Sequence, residues 1–177
     1  MIKINDKYFE VFINKEELHK KVNYLSSAIN SDYKDKDVLF IAVLNGSFMF
    51  ASDLMKCVNL DSEISFVKVS SYLGTNSLGR VDELIGLNTD VSNKHVVIIE
   101  DIVDTGITID KIITLLSVGK PLSIKTCTLL FKPDAFKGKE KPCYIGFEIP
   151  NNFVVGYGLD YDEKGRNYDE IYQLKEN

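Results

Sequence analysis

Apolar and polar residues are arranged along this chain in blocks of two different periods. Between residues 15 and 30 the apolar side chains recur at helical spacing, and Asn14 with Glu17 three positions on forms a capping signal. By contrast, residues 38–44 and 96–99 are almost wholly apolar, which is typical of strands buried on both faces. The whole pattern predicts helices at 15–30, 48–58 and 108–117 and strands at 38–44, 64–72, 96–99, 124–131, 144–149 and 153–157.

Strands that alternate with helices predict an α/β fold, in which a parallel sheet is covered by helices on both faces. The sequence has no repeat, low-complexity tract or linker rich in proline or serine, so we expect residues 1–177 to form a single domain. Residues 73–80 combine two glycines with small polar residues, which predicts an exposed, mobile loop. Ligands in such folds bind at the carboxyl ends of the strands, so we expect the chemistry there.

Composition narrows the class of protein. The net charge of −5 counts against a protein whose main partner is nucleic acid, because such proteins usually carry a basic surplus. Three cysteines without a CxxC pair indicate reduced thiols. No secretory signal is evident, and no apolar run approaches the roughly 20 residues that cross a bilayer. We therefore expect a cytoplasmic protein whose partners include neither a membrane nor a nucleic acid.

The segment VVIIEDIVDTGIT at residues 96–108 carries the strongest chemical signal. A buried strand ends in Glu100 and Asp101, and the chain then turns through Asp104 into a helix. Backbone N–H groups and the positive dipole end at a helix amino terminus attract a phosphate, and Gly106 lets the backbone approach it closely. Glu100 and Asp101 can accept the 2′- and 3′-hydroxyls of a ribose, with Asp104 close to a base attached at C1′.

The same carboxylates have a simpler interpretation. Acidic residues after an apolar strand often cap a helix or stay solvated, and Asp-Thr-Gly alone is a common turn. Three carboxylates within five residues repel one another, however, unless hydroxyls, cations or helix ends compensate. Their position beside an anion-binding turn therefore favours a binding site.

The segment resembles the signature with which type I phosphoribosyltransferases bind phosphoribosyl pyrophosphate (PRPP). Three further stretches are similar, in order, to the hypoxanthine-guanine phosphoribosyltransferases: residues 43–47 to the pyrophosphate-binding loop, Ser71-Tyr72 to the loop that closes over the reacting centre, and residues 153–161 to the hood that grips the purine. The resemblance covers nearly the whole chain. It implies a parallel-sheet core at about residues 14–135, with a small hood formed by the N-terminal segment and about residues 140–177.

The resemblance also implies a role for each matched residue, with Asp104 as the catalytic group that exchanges a proton with N7 of the purine. The residues assigned to PRPP are Glu100, Asp101, Asp104, Thr105, Gly106, Ile107 and Thr108, and those assigned to pyrophosphate are Asn45, Gly46 and Arg166. The purine would be bound by Lys132 at its 6-oxo group, by Phe153 through stacking and by Val154 through its backbone. Ser71 and Tyr72 would belong to the closing loop, and Glu100, Asp101 and Asp160 would bind Mg²⁺.

Two positions depart from the family pattern. Asn45 stands where the family often has Lys or Arg, so the pyrophosphate loop lacks a cation there. The peptide bond that enters this position can be cis in the family, which turns a backbone N–H toward pyrophosphate. We therefore expect the loop to bind pyrophosphate mainly through its main chain. Ile107 occupies a position that is often polar in the family, and we expect it to contribute only its backbone.

The function implied by the resemblance is purine salvage. Phosphoribosyl would pass from PRPP to N9 of hypoxanthine and/or guanine, giving IMP or GMP and pyrophosphate, with Mg²⁺ as cofactor and a homodimer or homotetramer as the assembly. Two alternatives remain open: a related transferase acting on xanthine or a pyrimidine, and a regulator of the same fold that binds RNA. The acidic balance of the chain disfavours the regulator.

Overall fold

The computed structural model describes residues 1–73, 80–86 and 89–175. Its described helices are α1 (Lys15–Asp32), α2 (Phe48–Cys57) and α3 (Ile107–Ser117). Its described strands are β1 (Ile2–Ile4), β2 (Lys7–Ile13), β3 (Val38–Val43), β4 (Ser62–Leu73), β5 (Arg80–Ile85), β6 (His95–Val103), β7 (Ser123–Phe131), β8 (Tyr144–Glu148), β9 (Val154–Val155) and β10 (Ile171–Leu174).

The central sheet has the order β5-β4-β3-β6-β7-β8. Five of its strands are parallel, and β5 pairs antiparallel with β4 at one edge. Every residue of β3 is buried, and alternate residues feed two cores: Phe40 packs with α1 and α2 on one face, while Leu39 and Ile41 pack with α3 on the other. The predicted α/β fold is confirmed.

Helix α1 begins where its capping signal predicts. Asn14 Oδ1 accepts the Glu17 N–H at 2.9 Å, and Glu17 Oε2 accepts the Asn14 N–H at 3.1 Å, so two orphan donors of the helix end are satisfied. Leu18, Val22 and Ile29 face the core from this helix. No helix in the described part of the chain has the length and apolar character needed to span a bilayer.

A second, antiparallel sheet joins the two ends of the chain in the order β1-β2-β10-β9. Ile171 lies opposite Ile13, and a small core of Ile4, Phe9, Val155 and Tyr172 forms between the strands. This sheet is the small hood that the resemblance implied beside the main sheet.

Four strands were missed by the sequence pattern: β1, β2, β5 and β10. The burial of β2 does not alternate regularly, and β10 is only four residues long, so neither gives a clear strand pattern in the sequence. The parallel sheet is confirmed for five strands, and β5, which the sequence pattern did not predict, adds an antiparallel strand at one edge. The predicted loop at 73–80 begins at the last residue of β4 and ends at the first residue of β5, and its residues 74–79 lie outside the described residues.

Candidate active site

The candidate site lies at the carboxyl edge of the central sheet, because β3, β6 and β7 are parallel and end on the same side. The chain leaves these strands through three segments that carry predicted site residues, namely 44–47 after β3, 104–106 after β6 and Lys132 after β7. This is the edge at which open α/β sheets usually bind their ligands.

Two buried carboxylates lie near the end of β6. The predicted strand 96–99 was too short, because Glu100 and Asp101 are themselves buried strand residues and β6 continues to Val103. Glu100 and Asp101 are only 8% and 9% exposed, and Glu100 Oε2 is a buried oxygen without a hydrogen-bond partner among the described residues. Burial, reinforced by the charge of Asp101, raises the pKa of Glu100 well above its ordinary value. Burial also raises the pKa of Asp101 to about 6, against the opposing effect of backbone hydrogen bonds and of Arg166. Such a pair holds two negative charges at neutral pH only when a cation or hydroxyl donors compensate.

The turn from β6 into α3 has the geometry of an anion site. Gly106 adopts φ +82°, which favours glycine, and α3 starts at the next residue. The first intrahelical bond runs from the Asp110 N–H to the Gly106 carbonyl at 3.0 Å, so the N–H groups before Asp110 have no acceptor within the helix. Thr105 and Thr108 are exposed beside these donors, and Ile107 points outward at 54% exposed. That Ile107 contributes only its backbone stays a prediction.

Asp104 and Lys132 are brought together by the fold although 28 residues separate them. Lys132 Nζ lies 3.0 Å from Asp104 Oδ2. The lysine is buried, and its backbone N–H donates to the Val103 carbonyl at 3.0 Å, which fixes the start of the β7 exit against the end of β6. The Lys132 ammonium and the half-exposed Asp104 carboxylate therefore form an ion pair beside the phosphate turn.

The loop after β3 touches the carboxylate pair directly. The Leu44-Asn45 peptide bond is cis, as the resemblance implied, and Asn45 is exposed. Ser47 anchors the loop by donating its hydroxyl to the Val43 carbonyl at 2.5 Å. Gly46 lies so close to Asp101 that a side chain at this position would overlap the carboxylate.

The C-terminal turn closes the site from the hood side. A side chain at Gly158, whose φ is +103°, would overlap the Gly46 carbonyl. Arg166 donates to the Gly158 carbonyl at 2.9 Å and pairs with Asp160 at 2.8 Å and Glu163 at 2.9 Å. Arg166 is thereby bonded to the turn at Gly158, which lies against the β3 loop, and its charge opposes the rise in the Asp101 pKa.

Phe153 and Val154 belong to the hood. The Phe153 ring is 43% exposed and lies within 6.2 Å, centroid to centroid, of Phe9 and 5.8 Å of Tyr161. Val154 is buried in β9, opposite Gln173 of β10. The ammonium of Lys7 also lies over the Phe153 ring, 5.7 Å from its centroid, so a base that stacked on this face would meet a cation.

The predicted Mg²⁺ ligands and the predicted closing loop are not assembled as a site in the described residues. In the described part of the chain, no three His, Cys, Asp or Glu side chains lie close enough together to bind one metal ion. One carboxylate oxygen of Asp160 forms an ion pair with Arg166, and the other accepts a hydrogen bond from the Glu163 N–H. Ser71 and Tyr72 lie in β4 opposite Asp82 and Val81 of β5, and the remainder of the predicted closing loop, residues 74–79, lies outside the described residues.

Comparison with known proteins identifies the family of this chain. Residues 13–162 match the phosphoribosyl transferase domain. The chain belongs to this family. The match spans the β6 carboxylates, the phosphate turn, the β3 loop and the C-terminal turn as far as Asp162, whereas Glu163 and Arg166 lie just beyond it.

Individual relatives of this chain have the names of the family that the sequence resembles. The chain is 43% identical to a hypoxanthine-guanine phosphoribosyltransferase of Bacillus subtilis, over 94% of this chain and 93% of the relative. It is 39% identical to a hypoxanthine phosphoribosyltransferase of Haemophilus influenzae, over 90% and 92%. A crystal structure of a hypoxanthine phosphoribosyltransferase from Staphylococcus aureus superposes with a TM-score of 0.86, at 41% identity, over 94% of this chain and 91% of that one.

The phosphoribosyltransferase site also contains residues that the sequence did not single out. Gly158 contacts the pyrophosphate loop, and Glu163 helps to hold Arg166. Gly158 was signalled only by the Gly-Tyr-Gly run inside the matched hood segment, whereas Glu163 had no signal because its role depends on a turn that brings positions 160, 163 and 166 together.

Proposed function

We propose that this chain is a purine-salvage phosphoribosyltransferase, which transfers phosphoribosyl from PRPP to N9 of hypoxanthine and/or guanine and releases pyrophosphate. The observation that carries the proposal is the placement of the buried Glu100–Asp101 pair beside the Gly106 turn at one edge of the parallel sheet. The names of relatives about 40% identical over nearly the full chain support the substrate class.

The sugar phosphate would bind at the β6–α3 junction. The N–H groups from Thr105 to Thr108, of which that of Ile107 makes only a long 3.5 Å bond to the Thr105 hydroxyl, are suited to the 5′-phosphate, because they combine with the positive end of the α3 dipole. Glu100 and Asp101 would receive the ribose hydroxyls, whose protons are the donors that Glu100 Oε2 lacks.

Pyrophosphate would lie between the β3 loop and the C-terminal turn. Gly46 leaves no side chain between its backbone and the Asp101 carboxylate, and Arg166 brings a positive charge to Gly158, which lies against the Gly46 carbonyl. Asn45 is exposed and uncharged, so its contribution would come from the main chain. Oriented backbone donors can hold a polyphosphate in an acidic protein.

The purine would be read at Asp104 and Lys132. The ammonium of Lys132 can donate to a 6-oxo group, while Asp104 can accept the proton at N7 as N9 becomes the nucleophile. Phe153 would stack on the base, and the Val154 backbone would meet its edge. Adenine carries an amino group at C6, which would face the Lys132 donor, and should be rejected.

The carboxylates fit Mg²⁺, the proposed cofactor. Mg²⁺ prefers oxygen ligands and is commonly held by one or two protein carboxylates together with substrate oxygens, so a ready cage of three side chains is not required. Glu100, Asp101 and Asp160 would be the protein groups that hold it, directly or through water. When bound, Mg²⁺ would neutralise charge on the departing pyrophosphate.

The chain's own residues would support the transfer in three ways. The carboxylates of Glu100 and Asp101 would stabilise the positive charge that develops on the ribose as pyrophosphate leaves. Asp104 would take the purine proton. Ser71 and Tyr72 are predicted to belong to the segment that excludes water from the reacting carbon.

We also propose a homodimer or homotetramer as the assembly and the cytoplasm as the compartment. The free thiols of Cys57, Cys127 and Cys143 support the compartment, because thiols stay reduced there.

A PRPP-dependent assay with hypoxanthine, guanine, xanthine, adenine and uracil tests this function. We expect nucleoside monophosphate and pyrophosphate to form in equal amounts with hypoxanthine and/or guanine, and to be absent with adenine and uracil. Turnover confined to xanthine or uracil would replace the substrate assignment. No turnover with any base, together with RNA binding in a gel shift at physiological salt, would favour the regulator instead.

A further inference from the structure

A short segment that follows β7 grips the amino end of α3 from outside the predicted site. We call residues 136–139 the turn clamp. The Lys137 N–H donates to the Thr105 carbonyl at 2.9 Å, and the Lys139 N–H lies 3.3 and 3.1 Å from the two carboxylate oxygens of Asp110. The clamp therefore bonds to Thr105 in the phosphate turn and to Asp110 in the first turn of α3, on either side of Gly106.

The Phe136 ring is the central part of the turn clamp. A side chain at Gly106 would overlap this ring, and a side chain at Gly138 would lie 2.7 Å from its Cζ atom. The ring thus fits between two glycines that have no side chains to displace it. It also packs edge-on against Phe131 at 5.2 Å between ring centroids, and Phe131 is fully buried at the end of β7.

These contacts link the geometry of the phosphate turn to the hydrophobic core. Gly106 has a positive φ at the turn, and the Phe136 ring lies against the side of Gly106 on which a side chain would stand. Helix α3 is itself anchored by Ile109 and Ile112 in the same core that Phe136 joins. Because backbone donors bind an anion well only when they are held in a fixed direction, packing that restrains the turn should strengthen phosphate binding.

We propose that Phe136 is a positioning residue, which holds the 105–108 turn in the conformation that binds the 5′-phosphate of PRPP and of the nucleotide product. This proposal rests on the proposed function. Phe136 acts through Gly106 and does not touch the reacting atoms, so its loss should weaken phosphate binding and leave the chemical step unchanged. The same restraint should not affect affinity for a free purine base.

The test compares Phe136→Leu with Phe136→Tyr, which keeps the ring. The matched control is Phe147→Leu, because Phe147 is also partly buried but packs on the opposite core from strand β8. For each folded variant, KM for PRPP, KM for hypoxanthine and kcat are measured, and binding of ribose 5-phosphate is titrated by calorimetry. Thermal unfolding measures the stability of each variant separately.

For Phe136→Leu we expect KM for PRPP to rise about tenfold, with a parallel loss of ribose 5-phosphate affinity and with kcat and KM for hypoxanthine changed less than about twofold. Phe136→Tyr and Phe147→Leu should stay near the unaltered protein in all three. An unchanged KM for PRPP in Phe136→Leu, or an equal loss in Phe147→Leu, overturns the clamp.

The titration separates the clamp from the proposed function. If ribose 5-phosphate binds and Phe136→Leu weakens it while no purine is converted, the clamp stands and the reaction assignment fails. If ribose 5-phosphate binds equally to both proteins, the clamp fails and the reaction assignment is unaffected. If it does not bind the unaltered protein, the phosphate role of the turn fails and the clamp with it.

Discussion

At the residue scale, the site depends on charges that the protein leaves poorly compensated. Glu100 keeps a buried oxygen without a partner among the described residues, and its neighbour Asp101 is buried almost as deeply. Asp104 by contrast is half-exposed and paired with Lys132. Buried, unpaired carboxylates lower the stability of a folded protein, so their retention at one strand end fits a binding role. Two predictions separate these two kinds of carboxylate.

Replacing Asp104 by Asn should impair the chemistry while leaving PRPP binding intact. The amide can still accept a hydrogen bond but cannot take the purine proton, so kcat should fall by roughly 10²-fold or more, while KM for PRPP changes little. Asp134→Asn is the matched control, because Asp134 is an exposed aspartate two residues beyond Lys132. Near-normal turnover of Asp104→Asn at saturating substrate would remove Asp104 from the mechanism.

Replacing Glu100 by Gln should stabilise the metal-free protein at neutral pH. The raised pKa means that folded Glu100 keeps its proton to higher pH than the unfolded chain does, so its contribution to stability falls as pH rises above its ordinary pKa. The amide that Glu100→Gln introduces does not titrate, so the gain in free energy of unfolding over the unaltered protein should be larger at about pH 8 than at about pH 4.

Chemical denaturation across that pH range, in the presence of a chelator, measures the difference. Glu148→Gln, an exposed position in β8, provides the control and should show no comparable trend. A Glu100→Gln protein that is less stable than the unaltered protein at about pH 8 would show that Glu100 is stabilised as a buried anion.

At the element scale, the site is the meeting point of loops rather than the property of one motif. The β3 loop, the end of β6 and the C-terminal turn are in contact only because glycines stand at their crossing points. Gly46 lies against Asp101, and Gly158 lies against Gly46. Each contact brings one backbone closer to its neighbour than a side chain would allow.

We therefore expect a small effect and a large effect from substitutions at two adjacent positions of the β3 loop. Asn45→Ala removes an exposed, uncharged side chain and should change pyrophosphate affinity by less than about tenfold, or roughly 1.4 kcal/mol. Gly46→Val would force a side chain into the Asp101 carboxylate and should lower kcat/KM for PRPP by on the order of 100-fold or more. Pyrophosphate inhibition and steady-state kinetics measure the two effects. A silent Gly46→Val beside an inactive Asn45→Ala would contradict the main-chain account.

At the scale of the whole molecule, the two sheets must keep a fixed relation for the site to close. Tyr157, between the hood strand β9 and the C-terminal turn, donates its hydroxyl to Asp53 Oδ2 of α2 at 2.7 Å. Partial burial opposes ionisation of Asp53, but hydrogen bonds from Lys56 and Tyr157 lower its pKa overall. The bond is thus a direct tie between the hood and the helical layer of the main fold.

Removing this tie with Tyr157→Phe should cost about 1 kcal/mol of unfolding free energy, since Asp53 keeps Lys56 as a partner. That loss corresponds to a fall in Tm of roughly 2–4 °C for a chain of this size. Because Phe153 and Val154 belong to the hood, KM for the purine should rise more than KM for PRPP. Tyr24→Phe, an exposed tyrosine on α1, is the control. An unchanged Tm and purine KM would show that the hood is held by packing alone.

The local sequence alone was sufficient to predict the elements with strong periodicity and to group candidate site residues in one segment, whose chemical roles stay predictions. Residues 96–108 hold a buried strand, two carboxylates and a glycine turn in unbroken order, so strand, turn and helix could be predicted together. The capping residues of α1 likewise act within four positions. In both cases the interacting groups are neighbours along the chain, and their spacing fixes their geometry.

Tertiary structure decided what depends on distant residues. The Lys132–Asp104 pair joins positions 28 apart, and the hood pairs β2 with β10 from opposite ends of the chain. The burial that raises the pKa of Glu100, and the ring of Phe136 against Gly106, exist only once strands and loops have packed. Local pattern specifies period and turn chemistry, whereas contacts between distant segments depend on how the whole core is filled.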